Sequence, residues 1–221
     1  MKEIIVAPSI LSLDYANVSE QLQTLKESKA KWLHFDVMDG HFVKNLTFGP
    51  DILKGFKKAT QMFMDVHIMV EDPSFVAKLF IEAGADMLTF HLEAVNDIEE
   101  CITLCKWIRK QGVQAGVSVK PNTNIEALLP HLKEIDMILI MSVEPGFGGQ
   151  SFIAHTLEKV KRLRKEIDQY GYNLKIEIDG GINDQTAPLA VQAGCDVLVA
   201  GSYIFKGDIE KNIDRLLSCQ K

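Results

Sequence analysis

Short apolar runs rich in β-branched residues recur along the chain. Each is followed by a stretch whose apolar positions fall at helical spacing. The runs predict strands over Ile4–Ser9, Trp32–Val37, Phe63–Ile68, Met87–His91, Gln114–Val119, Asp136–Met141, Lys175–Asp179 and Val197–Ala200. Between them, Asp14–Lys29 carries Tyr15, Val18, Leu22 and Leu25 on one helical face. Asp72-Pro73 supplies an N-cap and a first-turn proline for a helix closing at Gly84. Helices over Asp97–Gln111, Thr156–Tyr170 and Asp184–Ala193 each run into a glycine, the residue suited to a left-handed stop. Shorter helices are predicted over Asp51–Ala59 and Ile125–Leu132, and a last one follows Gly207.

Strict alternation of strands and helices implies parallel strands joined by helical crossovers. Eight such units in 221 residues predict one α/β domain over residues 1–221, a closed (β/α)8 barrel. The rival is an open doubly wound sheet, which usually shows a glycine-rich fingerprint after its first strand. Here that position reads Pro8-Ser9-Ile10-Leu11. A weak internal repeat agrees with the barrel: Glu82-Ala83-Gly84-Ala85-Asp86 precedes strand four, and Gln192-Ala193-Gly194-Cys195-Asp196 precedes strand eight. Each reads as a helix stop, a tight turn and an aspartate leading into a buried strand.

Composition narrows the function classes. At 47% hydrophobic and 24% charged residues, the chain has the make-up of a globular domain rather than of a disordered segment. A formal net charge of −6 argues against a nucleic-acid or anionic-membrane surface. A small anion remains compatible, because backbone amides hold one without excess lysine or arginine. The start Met1-Lys2-Glu3, with Pro8 soon after, does not read as a signal peptide, and no apolar run approaches the ~20 residues of a spanning helix. Cys101, Cys105, Cys195 and Cys219 form no C-x-x-C pair. They read as small buried hydrophobes in a reduced, cytoplasmic protein.

Candidate chemistry comes from strand parity. In strand two, Leu33, Phe35 and Val37 share the face expected against the helices, so His34, Asp36 and Met38 point into the barrel. The same argument turns Asp65, His67 and Met69 inward on strand three, and Glu177 and Asp179 on strand seven. Any one of these alone reads equally as a hydrogen-bonded core residue. Two histidines and two aspartates converging on one barrel mouth make a nitrogen and oxygen set suited to a divalent ion, Zn²⁺ first, with Mn²⁺, Fe²⁺ or Co²⁺ as alternatives. His91 and Glu93 share inward parity on strand four and read as partners of that set or as members of it. Glycines follow the later strands in Ser142-Val143-Glu144-Pro145-Gly146-Phe147-Gly148-Gly149-Gln150, Asp179-Gly180-Gly181-Ile182-Asn183 and Ala200-Gly201-Ser202. Loops of this kind on one face of a barrel predict a phosphate site.

In these residues the chain resembles ribulose-phosphate 3-epimerases. The matching motifs are Ala7-Pro8-Ser9-Ile10-Leu11, the run His34–Val43, Asp65–Val70, Pro145–Gln150, Asp179–Asn183 and Gly201-Ser202, in order and nearly spanning the chain. The resemblance implies one divalent metal held by His34, Asp36, His67 and Asp179, with Asp36 and Asp179 as paired acid and base. It implies that Ser9 and His67 contact the sugar, that Gly146, Phe147, Gly148, Gly149, Gly180, Gly181, Gly201 and Ser202 hold the phosphate, and that Met38, Met69 and Met141 pack near the reacting carbons. It further implies a small phosphorylated ketose as partner, and a homo-oligomer. Lys44 departs from the proline common in the family and puts the stiffness of its loop in question. The allulose 6-phosphate epimerases share most of this site, although Gly148 and the Gly180-Gly181-Ile182 run are closer to the pentose enzymes. Orotidine-monophosphate-type decarboxylases use an Asp-x-Lys-x-x-Asp run, and Asp36-Val37-Met38-Asp39 has no lysine.

Overall fold

The computed structural model describes residues 3–219. Its strands are β1 (Ile5–Pro8), β2 (Trp32–Met38), β3 (Phe63–Met69), β4 (Met87–His91), β5 (Gln114–Val119), β6 (Met137–Met141), β7 (Lys175–Asp179) and β8 (Val197–Ala200). All pair in parallel with their sequence neighbours from β2 round to β8, and β8 pairs with β1. A parallel bridge between Ser9 and His34 closes the ring. The predicted (β/α)8 barrel is therefore the observed fold.

The outer layer is α1 (Val18–Glu27), α2 (Pro50–Thr60), α3 (Pro73–Ala83), α4 (Ile98–Lys110), α5 (Leu157–Tyr170), α6 (Ala187–Ala193), α7 (Ser202–Phe205) and α8 (Ile209–Leu217). The cap read from sequence at Asp72 forms, and Asp97 caps α4 in the same way. Asp72 accepts from the Phe75 amide at 2.9 Å, and Asp97 from the Glu100 amide at 2.8 Å.

Three helical boundaries differ from the periodic pattern. The run Ile125–Leu132 does not form an α-helix; a 3-10 segment over Leu129–Glu134 makes this crossover instead. Pro130 lacks the amide and carries the ring that an α-helical turn would need to accommodate there. The first helix starts at Val18, because Asp14 folds the preceding residues into a turn through the Ala16 amide at 3.0 Å and the Asn17 side chain at 2.6 Å. The helix before β8 starts at Ala187, since Asn183 accepts from the amides of Gln185 and Thr186.

Below the barrel, the repeated aspartates do one job. Asp86 accepts from the Met64 amide at 2.7 Å, Asp136 from the Ala115 amide at 2.9 Å and Asp196 from the Ile176 amide at 2.9 Å. Each thereby satisfies an amide near the start of the preceding strand, and each meets a cation from the helix that leads into that strand: Lys57, Arg109 or Arg164.

Inside the barrel, polarity is graded along the strands. The amino-terminal end is sealed by Ile5, Ala7, Trp32, Phe63, Met87, Met137, Val197 and Val199, with the Trp32 and Phe63 rings stacked at 4.3 Å. Toward the carboxyl ends the inward positions become polar. Leu33, Phe35, Val37, Val66, Ile68, Ile176 and Ile178 belong to the core shared with the helices, as parity requires.

At one interior position only a hydrogen fits. A Cβ on Gly116 would lie 2.1 Å from Thr89 Oγ1 across the β4–β5 pair. Gly116→Ala should therefore destabilise the barrel by about 1–3 kcal/mol through overpacking, measured as a fall in the denaturation midpoint. Adding Thr89→Ala, which deletes the clashing hydroxyl, should restore part of the loss. An unshifted midpoint for Gly116→Ala would show that the strands yield at this contact.

Candidate active site

The sequence-predicted ligands converge. His34, Asp36, His67 and Asp179 each present one donor atom, and these atoms all lie within 4.8 Å of one another. Parallel register explains the meeting, because Asp36 on β2 sits opposite His67 on β3 and their side chains share the inward face. Asp36 Oδ1 lies 3.2 Å from His34 Nε2 and 3.3 Å from His67 Nδ1, and Asp36 Oδ2 accepts from the Ser9 hydroxyl at 2.7 Å. Asp179 closes the set from β7 at the floor of the cavity.

Each histidine is held from behind. His34 Nδ1 is 2.7 Å from Asp65 Oδ2, with Glu177 Oε1 at 3.8 Å. His67 Nε2 is 3.0 Å from His91 Nε2, and His91 Nδ1 is 3.1 Å from Glu93. All three histidines are fully buried. Met38, Met69 and Met141 line the cavity above the cluster.

Electrostatics separate the carboxyl groups. Burial pushes the Asp36 carboxyl up, but His34 and His67 outweigh it and hold it well below the usual carboxylate range. Burial and the neighbouring Asp36 charge push Asp179 up to about 7. Burial and Asp65 push Glu177 well above its ordinary value. Burial pulls the His34 imidazole down, yet Asp36 and Asp65 outweigh it and hold the ring above its ordinary value.

A divalent ion fits this arrangement on the structure's own terms. With Asp65 accepting from Nδ1–H, His34 Nε2 is a buried atom with no hydrogen-bond partner, directed at an ionised carboxylate. Nitrogen and carboxylate oxygen facing one another at this distance need a proton or a cation between them. In the metal-free chain a proton on His34 serves; a cation would replace it.

The glycine loops face the cluster across a cavity of about 590 Å³. Ser9, Gly146, Phe147, Gly148, Gly149, Gly180, Gly181, Gly201 and Ser202 all line it. Phe147, Gly148 and Gly149 are exposed at the rim, Phe147 by 57%. Lys44 does not line the cavity and is exposed, whereas its neighbours tie the same loop to the rim: Val43 packs on Gly146, and the Asn45 side chain donates to the Gly146 carbonyl at 2.8 Å.

Parity and motif reading did not find Asn45, Ser142 or Thr186. Ser142 Oγ donates to the carbonyls of Asp179 and Gly180, and Thr186 Oγ1 to that of Gly181. These bonds join loops distant in sequence, so no local pattern announces them. Their neighbourhood is crowded: at Gly181, φ is +65° and an added Cβ would lie 2.6 Å from the Phe152 amide nitrogen. Gly181→Ala should therefore cost about 1–3 kcal/mol of stability, seen in chemical denaturation; a neutral result would mean the two loops move apart freely.

Barrel enzymes carry their chemistry at this end of the sheet, and the fold and the carboxylate–imidazole set place the chain among them. Comparison of sequences narrows the class. Residues 5–205 match the ribulose-phosphate 3 epimerase family, and the chain belongs to that family. It is 42% identical over 213 residues to the ribulose-phosphate 3-epimerase of Bacillus subtilis (strain 168), covering 96% of this chain and 97% of that one. It is 44% identical over 204 residues to that of Treponema pallidum (strain Nichols), covering 92% of each. Among solved structures, the fold resembles 3-hexulose-6-phosphate synthase from Salmonella typhimurium, with TM-score 0.67, 20% identity and coverage of 98% of this chain and 97% of that one. It also resembles 3-keto-L-gulonate-6-phosphate decarboxylase from Vibrio cholerae O1 biovar El Tor str. N16961, with TM-score 0.70, 15% identity and coverage of 99% and 97%. At such identities the likeness concerns the barrel alone.

Proposed function

We propose that the protein interconverts D-ribulose 5-phosphate and D-xylulose 5-phosphate by inverting carbon 3. The observation that carries this reading is the pair Asp36 and Asp179, two carboxyl groups from separate strands at one cavity floor, with proton affinities driven apart. Environments that separate two titratable groups mark them as base and acid. Asp36, held ionised, takes the C3 proton of ribulose 5-phosphate; Asp179, able to hold a proton near neutrality, delivers one to the opposite face. Ser9, bonded to Asp36, orients the carboxylate and meets the sugar, and His67 lies beside it. The methionines exclude water from the reacting carbons. Gly146, Phe147, Gly148, Gly149, Gly180, Gly181, Gly201 and Ser202 receive the phosphate through backbone amides.

His34, Asp36, His67 and Asp179 would hold the divalent ion, which we take to be Zn²⁺. When bound it supplies Lewis-acid stabilisation for the negative charge that develops on the substrate's oxygens. Family membership also leads us to infer a cytoplasmic setting and a homo-oligomeric assembly.

The substrate assignment is tested by comparing kcat/KM for ribulose 5-phosphate and allulose 6-phosphate; the pentose should be preferred, and parity or reversal would overturn the assignment. Metal dependence is tested separately. Chelation should abolish turnover and added Zn²⁺ or Mn²⁺ should restore it, while His67→Ala should lose the ion in a metal-content assay. Full activity in the metal-free protein would remove the ion from the reaction.

The two-base assignment predicts isotope behaviour. Asp36→Asn and Asp179→Asn should each nearly abolish epimerisation, because an amide neither takes nor delivers the proton. In D₂O, Asp179→Asn that keeps its metal, as checked by metal content, should still wash deuterium into C3 of ribulose 5-phosphate without forming xylulose 5-phosphate. Wild-type product retaining its original C3 proton in D₂O would instead indicate one shielded base serving both faces.

A further inference from the structure

The loop after β2 reaches across the mouth of the barrel and holds the loop after β6. It is rooted on the strand that carries Asp36. Thr47 Oγ1 donates to the Asp36 carbonyl at 2.7 Å and accepts from the Met38 amide at 2.9 Å, and Asp39 bridges to Leu46. Asn45 extends from this clasp. Its Oδ1 accepts from the Leu46 amide at 2.9 Å, a bond only an oxygen can accept. Its Nδ2 is therefore the atom that donates to the Gly146 carbonyl at 2.8 Å.

That bond orients a peptide. Asn45 does not line the cavity, so the Gly146 carbonyl, turned toward Asn45, is turned out of it. Across a planar trans peptide the Phe147 N–H points the opposite way, inward. Two more carbonyls of the same loop are taken by one side chain: Gln150 Nε2 donates to those of Glu144 at 2.7 Å and Phe147 at 2.8 Å. Among the described residues, the amides of Phe147, Gly148 and Gly149 have no acceptor. Carbonyl oxygens repel a phosphate and amides attract it, so the facing of each peptide decides whether the loop binds.

We infer that Asn45 is a positioning residue for the phosphate: by drawing the Gly146 carbonyl outward it presents the Phe147 amide to the anion. The same bond ties that amide to the strand that carries Asp36. The inference rests on the phosphate site proposed above and adds to it a residue that touches neither the phosphate nor the reacting carbon. A glycine is what needs such a hold. Gly146 has φ of +121°, and without a side chain of its own it could turn its carbonyl either way.

The test joins kinetics with amide NMR, using inorganic phosphate as the probe. Asn45→Ala should raise KM for ribulose 5-phosphate and the inhibition constant of inorganic phosphate together, by about tenfold, with a smaller change in kcat. In wild-type spectra, phosphate should shift the Phe147 amide along with those of Gly181 and Gly201. In phosphate-saturated Asn45→Ala the Phe147 shift should shrink while the other two persist. A merely structural role would lower the denaturation midpoint and leave both constants as they are. That result overturns the inference, as does a full-sized Phe147 shift in the variant. If Asn45→Ala fails to fold, Asn45→Asp takes its place, since its carboxylate still accepts from the Leu46 amide. Having no N–H to give, it should push the Gly146 carbonyl away and raise both constants at least as far; wild-type constants would overturn the inference. A wild type whose three amides all ignore phosphate would bring down the phosphate site and the inference with it, whereas an unaltered variant beside a responsive wild type brings down the inference alone.

Discussion

Asp36 is the group on which the carboxyl end of the barrel depends. It is 3% exposed, and an ion buried that deeply costs several kcal/mol unless its neighbours compensate. The compensation comes from three groups: the Ser9 hydroxyl, just after β1, on one oxygen, and His34 of β2 and His67 of β3 on the other. Without it the carboxyl group would be driven toward the neutral form, as Asp179 is. The site therefore does not sit on a finished scaffold. Its members satisfy one another, and they are also part of what lines the barrel's interior.

Beneath Asp36, the interior changes character within a few residues. Asp65 and Glu177 lie one inward position deeper than His67 and Asp179 on the same strands, and burial beside Asp65 raises the proton affinity of Glu177. Deeper again, the apolar plug around Trp32 and Phe63 closes the amino-terminal end. The cavity over Asp36 and Asp179 opens on the glycine-lined side, a geometry that lets a buried carboxyl group exchange protons at the mouth.

Much of this was legible from residue alternation. Leu33, Phe35 and Val37 on one parity, with His34 and Asp36 on the other, specify a strand with a helix-facing side and a polar inner side, and the structure follows that division. The repeated aspartates before β4 and β8 were visible as a pattern, although their bonds to a neighbouring strand's amide were not. What stayed hidden depends on distant partners or on local competition. Pro130 overrides a helical pattern by removing a donor. Asn45 and Gly146 are separated by 101 positions, and only the closed barrel brings them together. Lys44 drew notice as a change of residue type, yet the working contacts of its loop belong to the residues on either side.

Among the described residues, β1 and β2 are joined by one bridge, between Ser9 and His34. Elsewhere the sheet is held by ladders several residues long, such as the seven paired positions of β2 and β3. The weakest stave joint of the barrel is thus riveted by site residues, since Ser9 also bonds Asp36 and His34 also faces it. An ion gripped by His34, Asp36, His67 and Asp179 would span β2, β3 and β7 and act as a hoop across that joint. Ligation would then reinforce a closure that the Ser9–His34 bridge already makes.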